Sequence, residues 1–161
     1  KKEDMKKILL LFISFLISIS MFAQDDAVVN IDGCWLEHSV YVNNVKGMKI
    51  HCELTIEQME GKTLCVIAYF GYEHSENDIS PIKSRTGNNN FRSVDNQVCT
   101  GGYAYAKYES SYWEDFCLFI PYRELNAAVS DTSTLCCVIN VQSKSGEIYA
   151  FSDILSFTFY K

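Results

Sequence analysis

The sequence predicts an all-β fold, an antiparallel sandwich of seven to eight short strands, and three observations carry that prediction. Residues Met48 to Ile56 alternate strictly between apolar and polar, the period of a strand with one buried face. Residues Thr63 to Phe70 are apolar on both faces yet too short for a lone helix, as a central strand would be. Turn residues rich in Asn, Gly, Ser and Pro punctuate the chain at regular spacing, and long helical periodicities are missing.

The elements are taken in chain order. A strand from Cys34 leads through the turn Asn43-Asn44-Val45-Lys46-Gly47 into the strand ending at Ile56, because Asn and Gly tolerate positive φ. Met48, Ile50, Cys52, Leu54 and Ile56 are expected inside, with Lys49, His51, Glu53 and Thr55 facing water. Glu57 to Lys62 turns the chain into the central strand. His74 to Ser80 reads as a polar loop, and Pro81 confines the next segment to an edge. Thr86 to Asn90 is a turn. Gln97 to Lys107 sets Tyr103 and Tyr105 opposite Ala104 and Ala106, and Glu109-Ser110-Ser111 breaks that strand. Phe116 to Ile120 is a buried strand stopped by Pro121. Tyr122 to Ala128 makes one helical turn, with Leu125 plugging the core. Leu135 to Val141, Glu147 to Phe151 and Ile154 to Tyr160 complete the domain. Short antiparallel strands with regular turns point to the immunoglobulin-like type of sandwich; a closed barrel is the alternative, since sequence leaves strand order open.

The N-terminus reads as a cleavable signal peptide over 1–24, with Lys1 to Asp4 a short upstream extension. Met5-Lys6-Lys7 is basic, Ile8 to Met21 is apolar, and a small residue precedes the cut expected after Ala23 or Gln24. The apolar run falls short of the ~20 residues of a membrane span. Residues 25–161 then form a single domain, exported to the periplasm or beyond, with no membrane span. Cys34 lies ten residues past the cut, so no lipid anchor is expected on it. Taking residues 1–24 from the 14 basic and 20 acidic residues leaves a net charge near −8. That disfavours nucleic acid, which demands a basic face.

Seven cysteines, at 34, 52, 65, 99, 117, 136 and 137, are an odd number without a C-x-x-C. Cys52, Cys65, Cys117, Cys136 and Cys137 sit in apolar strands. Buried thiols are expected, with one bridge at most and no zinc.

Trp35-x-Glu37-His38, Gly47-Met48-x-Ile50-His51, Ala68-Tyr69-Phe70 and Phe119-Ile120-Pro121-Tyr122, in this order, resemble a family of small exported bacterial immunoglobulin-like β-sandwich domains with no assigned activity. The resemblance covers most of the mature chain and implies fold rather than chemistry.

Candidate chemistry is sparse. One hairpin register sets His38 across from His51, as two ligands of a metal; a register shifted by one sets His38 against Cys52, as a base beside a thiol. Glu73 and Glu114-Asp115 are the carboxylates available for glycoside hydrolysis. Neither set amounts to a catalytic constellation, so no catalytic residue, metal or cofactor is assigned and the protein is read as a non-enzyme. The best binding candidates are Tyr103, Tyr105, Tyr108, Tyr112 and Trp113, flat rings with polar tips suited to a protein pocket or a sugar. Tyr112 and Trp113 are expected on an exposed loop. The expected function is an exported interaction module that recognises a protein partner through a sheet face or the Tyr112-Trp113 loop. The alternatives are a domain that binds a cell-surface glycan through surface tyrosines, and a small hydrolase or metal enzyme.

Overall fold

The computed structural model describes residues 27–75, 78–129 and 132–160, so the expected signal peptide lies outside the described residues. Strands β1 (Val28–Val42), β2 (Val45–Glu57) and β6 (Ser110–Pro121) form a three-stranded antiparallel sheet in the order β1-β2-β6. The second, six-stranded sheet holds β3 (Thr63–Ser75), β4 (Asp78–Pro81), β5 (Cys99–Tyr105), β7 (Ser133–Gln142), β8 (Ile148–Phe151) and β9 (Leu155–Phe159). Its central pair is β3 and β7. On the far side of β3 lie β4 and β5, and on the far side of β7 lie β8 and β9.

The β1–β2 hairpin closes more tightly than expected. Asn43 and Asn44 take φ of 49° and 62°, making a two-residue turn with Val42 paired to Val45. Two consecutive positive-φ residues match the right-handed twist of the flanking strands. A bulge around Ser39, whose φ is 60°, then shifts the pairing by one, so that His38 opposes Met48 and Trp35 opposes His51. Both registers expected for His38 are thereby overturned: it faces neither His51 nor Cys52. Cys52 instead opposes Cys34.

Met48, Ile50, Cys52, Leu54 and Ile56 are all buried, as their alternation requires. They meet Leu64, Val66, Ala68 and Phe70 of β3 and Leu135, Cys137, Ile139 and Val141 of β7 in one core between the sheets. Phe70 meets Phe157 edge to face at 6.5 Å, worth about 0.5–1.5 kcal/mol beyond burial. Gly47 is required for close approach: a Cβ there would stand 2.2 Å from the Ile120 carbonyl oxygen.

Two segments expected to be irregular are strand in part. His74 to Ser80 contributes the end of β3 and most of β4, and His74 bonds Ser80 across them (Nε2 to Oγ, 2.8 Å). The expected break after the Tyr103 strand falls at residues 106–109, and Ser110 and Ser111 already belong to β6, where Tyr112 pairs with Thr55 and Trp113 with Leu54. Trp113 packs against the core, so the long β2 ladder overrides the polar composition around it.

After Pro121 a short helix, α1 (Tyr122–Ala128), buries Leu125 as expected. It also buries Glu124. The Glu124 carboxylate accepts from Thr86 Oγ1 and Asn88 Nδ2, fastening the segment between β4 and β5 to the helix.

Candidate recognition site

The aromatic candidates divide between the two outer faces. Tyr103 and Tyr105 point outward from β5, because Thr100, Gly102 and Ala104 take the inward positions. Tyr112 is exposed on the outer side of the other sheet, and Trp113 is half-buried against the core rather than on a loop. Tyr108 is exposed in the connection between the sheets, beside the Lys107 ammonium at 5.2 Å from its ring centre. The five residues therefore make no single patch.

Tyr103 and Tyr105 belong to a continuous face built by strand register. Across β5, β3, β7 and β8, one row reads Tyr103, Cys65, Gln142, Ile148 and the next reads Gly101, Ile67, Asn140, Phe151. Directly opposed residues on one side of a sheet are neighbours, so these rows form one surface. Its rim is exposed and apolar: Tyr103 is 72% and Phe151 63% accessible, with Tyr105 and Ile148 beside them. Its floor, Cys65 and Ile67, is half-buried. Gly101 leaves a dip beside Ile67, since a Cβ there would lie 3.3 Å from the Ile67 side chain.

Asn140 is the unusual member of this floor. It is 5% accessible, and its amide nitrogen reaches Gln142 Oε1 at 3.4 Å. Its carbonyl Oδ1 is buried without a hydrogen-bond partner. A buried unpaired carbonyl costs about 1–3 kcal/mol. At the Tyr103 end a groove of about 290 Å³ continues the face, with Asn89, Asn90 and Arg92 along its polar side.

Sequence reasoning missed Ile148, Phe151 and Asn140. The alternation in Glu147 to Phe151 gave an exposed apolar residue no distinguishing mark, and only the register brings β8 beside β7 and β3.

The other candidates fall elsewhere. His51, expected to face water, is 7% accessible because Trp35 stacks on it at 5.0 Å and 7° between planes. Its Nδ1 shares a 2.7 Å hydrogen bond with Asp115 Oδ1. Its Nε2 lies 3.4 Å from Glu37 Oε2, at an angle that makes no hydrogen bond, and is buried. His38 bonds the Tyr122 hydroxyl at 3.2 Å, and the same hydroxyl accepts from the Ser39 amide at 2.9 Å, holding the bulge. Glu73 sits in the six-stranded sheet, while Glu114 and Asp115 sit in the other, so these carboxylates are not paired. Among the described residues no three metal-type side chains converge.

The thiols are mostly buried, as expected, but Cys65 and Cys117 are less so than their apolar strands suggest. Cys52, Cys99, Cys136 and Cys137 are buried, Cys34 and Cys65 are half-buried, and Cys117 is exposed on the outer side of β6, opposite His51. Burial pushes the Cys99 thiol up to about 11.

Fold and surface together define a two-sheet, antiparallel all-β protein with an aromatic-rimmed sheet face. Comparison with protein-family models, curated proteins and solved structures finds no match to this chain.

Proposed function

We propose that the chain is an exported, non-catalytic binding module of immunoglobulin-like architecture, which recognises a protein partner through the outer face of the six-stranded sheet. The single observation that carries the reading is the combination of an exposed apolar rim (Tyr103, Tyr105, Ile148, Phe151) with the unpaired buried carbonyl of Asn140 at its centre. Exposed aromatic and apolar side chains clustered on one face are the residues that anchor recognition hot spots. The carbonyl is buried, so it would be reached only once the Gln142 side chain beside it moves aside; it would then accept from a donor of the partner, gaining a bond that the free protein lacks. Support for a non-catalytic role comes from His51. One ring nitrogen is held by Asp115 and the other is buried, so neither is open to a substrate.

A glycan is the second reading. It is favoured by the groove where Tyr103 offers a flat ring beside the amides of Asn89 and Asn90.

The test is capture from the exported fraction with three baits: wild type, Tyr103→Ser/Phe151→Ser, and Trp35→Ser as a control on the opposite sheet. A defined protein bound by wild type and the control, but lost by the double variant, supports the reading. Equal capture by all three baits rejects it. Retention of a polysaccharide instead, with loss on Tyr103→Ser alone, transfers the assignment to the glycan reading. Export is checked separately by N-terminal sequencing of secreted protein, with a new terminus expected at Gln24 or Asp25. An uncleaved cytoplasmic product would refute it.

A further inference from the structure

Cys34 and Cys52 occupy directly opposed positions on β1 and β2. Opposed residues of an antiparallel pair have Cα atoms about 4.5–5.5 Å apart. A disulfide spans Cα separations of about 4.4–6.8 Å, so this pair can close without moving the backbone. The two side chains interact, and both thiols are free. Cys52 lies in the core, whereas Cys34 is half-buried on β1, an edge strand of its sheet, beside the Ser152 hydroxyl.

We propose that Cys34 and Cys52 form a reactive dithiol site that takes small disulfides as its substrate class and closes to a bridge between β1 and β2. The two sulfurs have distinct roles. Cys52 Sγ donates to the Phe116 carbonyl oxygen at 3.7 Å, across the β2–β6 pair. Its side chain beside Cys34 favours the Cys34 thiolate, against the opposing effects of burial and the Asp153 charge, whereas the Cys34 side chain and burial push Cys52 well up. A small disulfide reaches half-buried Cys34 on the edge strand and not Cys52, which is 1% accessible, so Cys34 is the sulfur that attacks and Cys52 the one that resolves.

The step balances with a low-molecular-weight disulfide as oxidant. Cys34 sulfur attacks one donor sulfur, the donor S–S bond breaks, and the first donor half leaves as a thiolate. Cys52 then loses its proton to solvent or to that thiolate and attacks Cys34 sulfur. The mixed S–S bond breaks and the second donor half leaves. The protein gives up two electrons and two protons, and the donor is reduced to two thiols. Cys137 supplies the competing geometry: it is a buried thiol on β7 of the other sheet, opposed to Phe70 and Leu155, so it lacks the cross-strand alignment with Cys34 that Cys52 has.

The experiment equilibrates the native protein with oxidised glutathione near neutral pH, quenches in acid, and maps disulfides by non-reducing peptide mass spectrometry. A Cys34–Cys52 linkage is expected in wild type, and Cys52→Ser is expected to retain a stable glutathione adduct on Cys34. A Cys34–Cys137 linkage overturns the proposal. So does a lasting adduct on Cys34 of wild type with Cys52 still reduced, or modification of Cys117 alone. Should Cys52→Ser fail to fold, the rate of Cys34 alkylation by iodoacetamide is followed against pH in wild type. Its midpoint is expected below that of Cys117, and a midpoint at or above that of Cys117 refutes the assignment of Cys34 as attacking thiol.

Discussion

Replacing Asn140 by leucine separates what this residue does for the fold from what it does for recognition. Leucine has the same heavy-atom branching, and its bulkier methyl groups can spread over the half-buried floor between Ile67 and Phe151. The substitution removes the buried, unpaired Oδ1 and with it a desolvation cost of about 1–3 kcal/mol. It also deletes the long 3.4 Å bond to Gln142, worth roughly 1 kcal/mol. The balance favours the variant by about 1 kcal/mol. For a domain of this size that raises Tm by about 3–6 °C. Urea unfolding should show a higher midpoint at unchanged slope, since the surface exposed on unfolding is unaltered. Affinity for the captured partner should fall at the same time, because leucine cannot accept a hydrogen bond. A variant destabilised by about 1 kcal/mol or more would refute the reasoning. It would mean that the carbonyl has a partner in solution and contributes to the fold instead of waiting for a ligand.

Four other expectations rest on the same structure. Gly47→Ala places a methyl 2.2 Å from the Ile120 carbonyl oxygen, so β6 must shift; a loss of about 2–4 kcal/mol in urea unfolding is expected, and a near-neutral result would show that the β2–β6 ladder is slack there. Asp115→Ala removes the partner of a nearly buried imidazole and should cost about 1–3 kcal/mol, while Asp115→Asn, which keeps an acceptor, should cost less; equal losses would count against the 2.7 Å bond as the cause. At high pH, folded Cys99 keeps its proton up to about 11 whereas the unfolded chain releases it from about 9, so stability is constant below pH 9 and declines as pH rises through that window. Cys99→Ser should flatten the decline in alkaline equilibrium unfolding, and an unchanged slope would reject that contribution. Glu124→Leu releases Thr86 and Asn88, so hydrogen exchange across residues 82–98 should accelerate while the β2 amides stay protected; uniform acceleration would place Glu124 in the global fold instead.

The sequence by itself determined the strand class, the inward set of β2, the doubly apolar β3 and the helix after Pro121. Each of these rests on local periodicity or on a backbone constraint that a residue carries wherever it is placed. Register and face were decided by tertiary structure alone. Two asparagines tightened the hairpin and a bulge at Ser39 shifted it again, which moved His38 away from His51 and set Cys34 against Cys52. A long ladder drew Trp113 out of its expected loop, and Trp35 took His51 out of water. The recognition face, too, exists only once β8 lies beside β7, because residues as far apart in the chain as Tyr103, Asn140 and Phe151 become neighbours through backbone pairing that no local signal encodes.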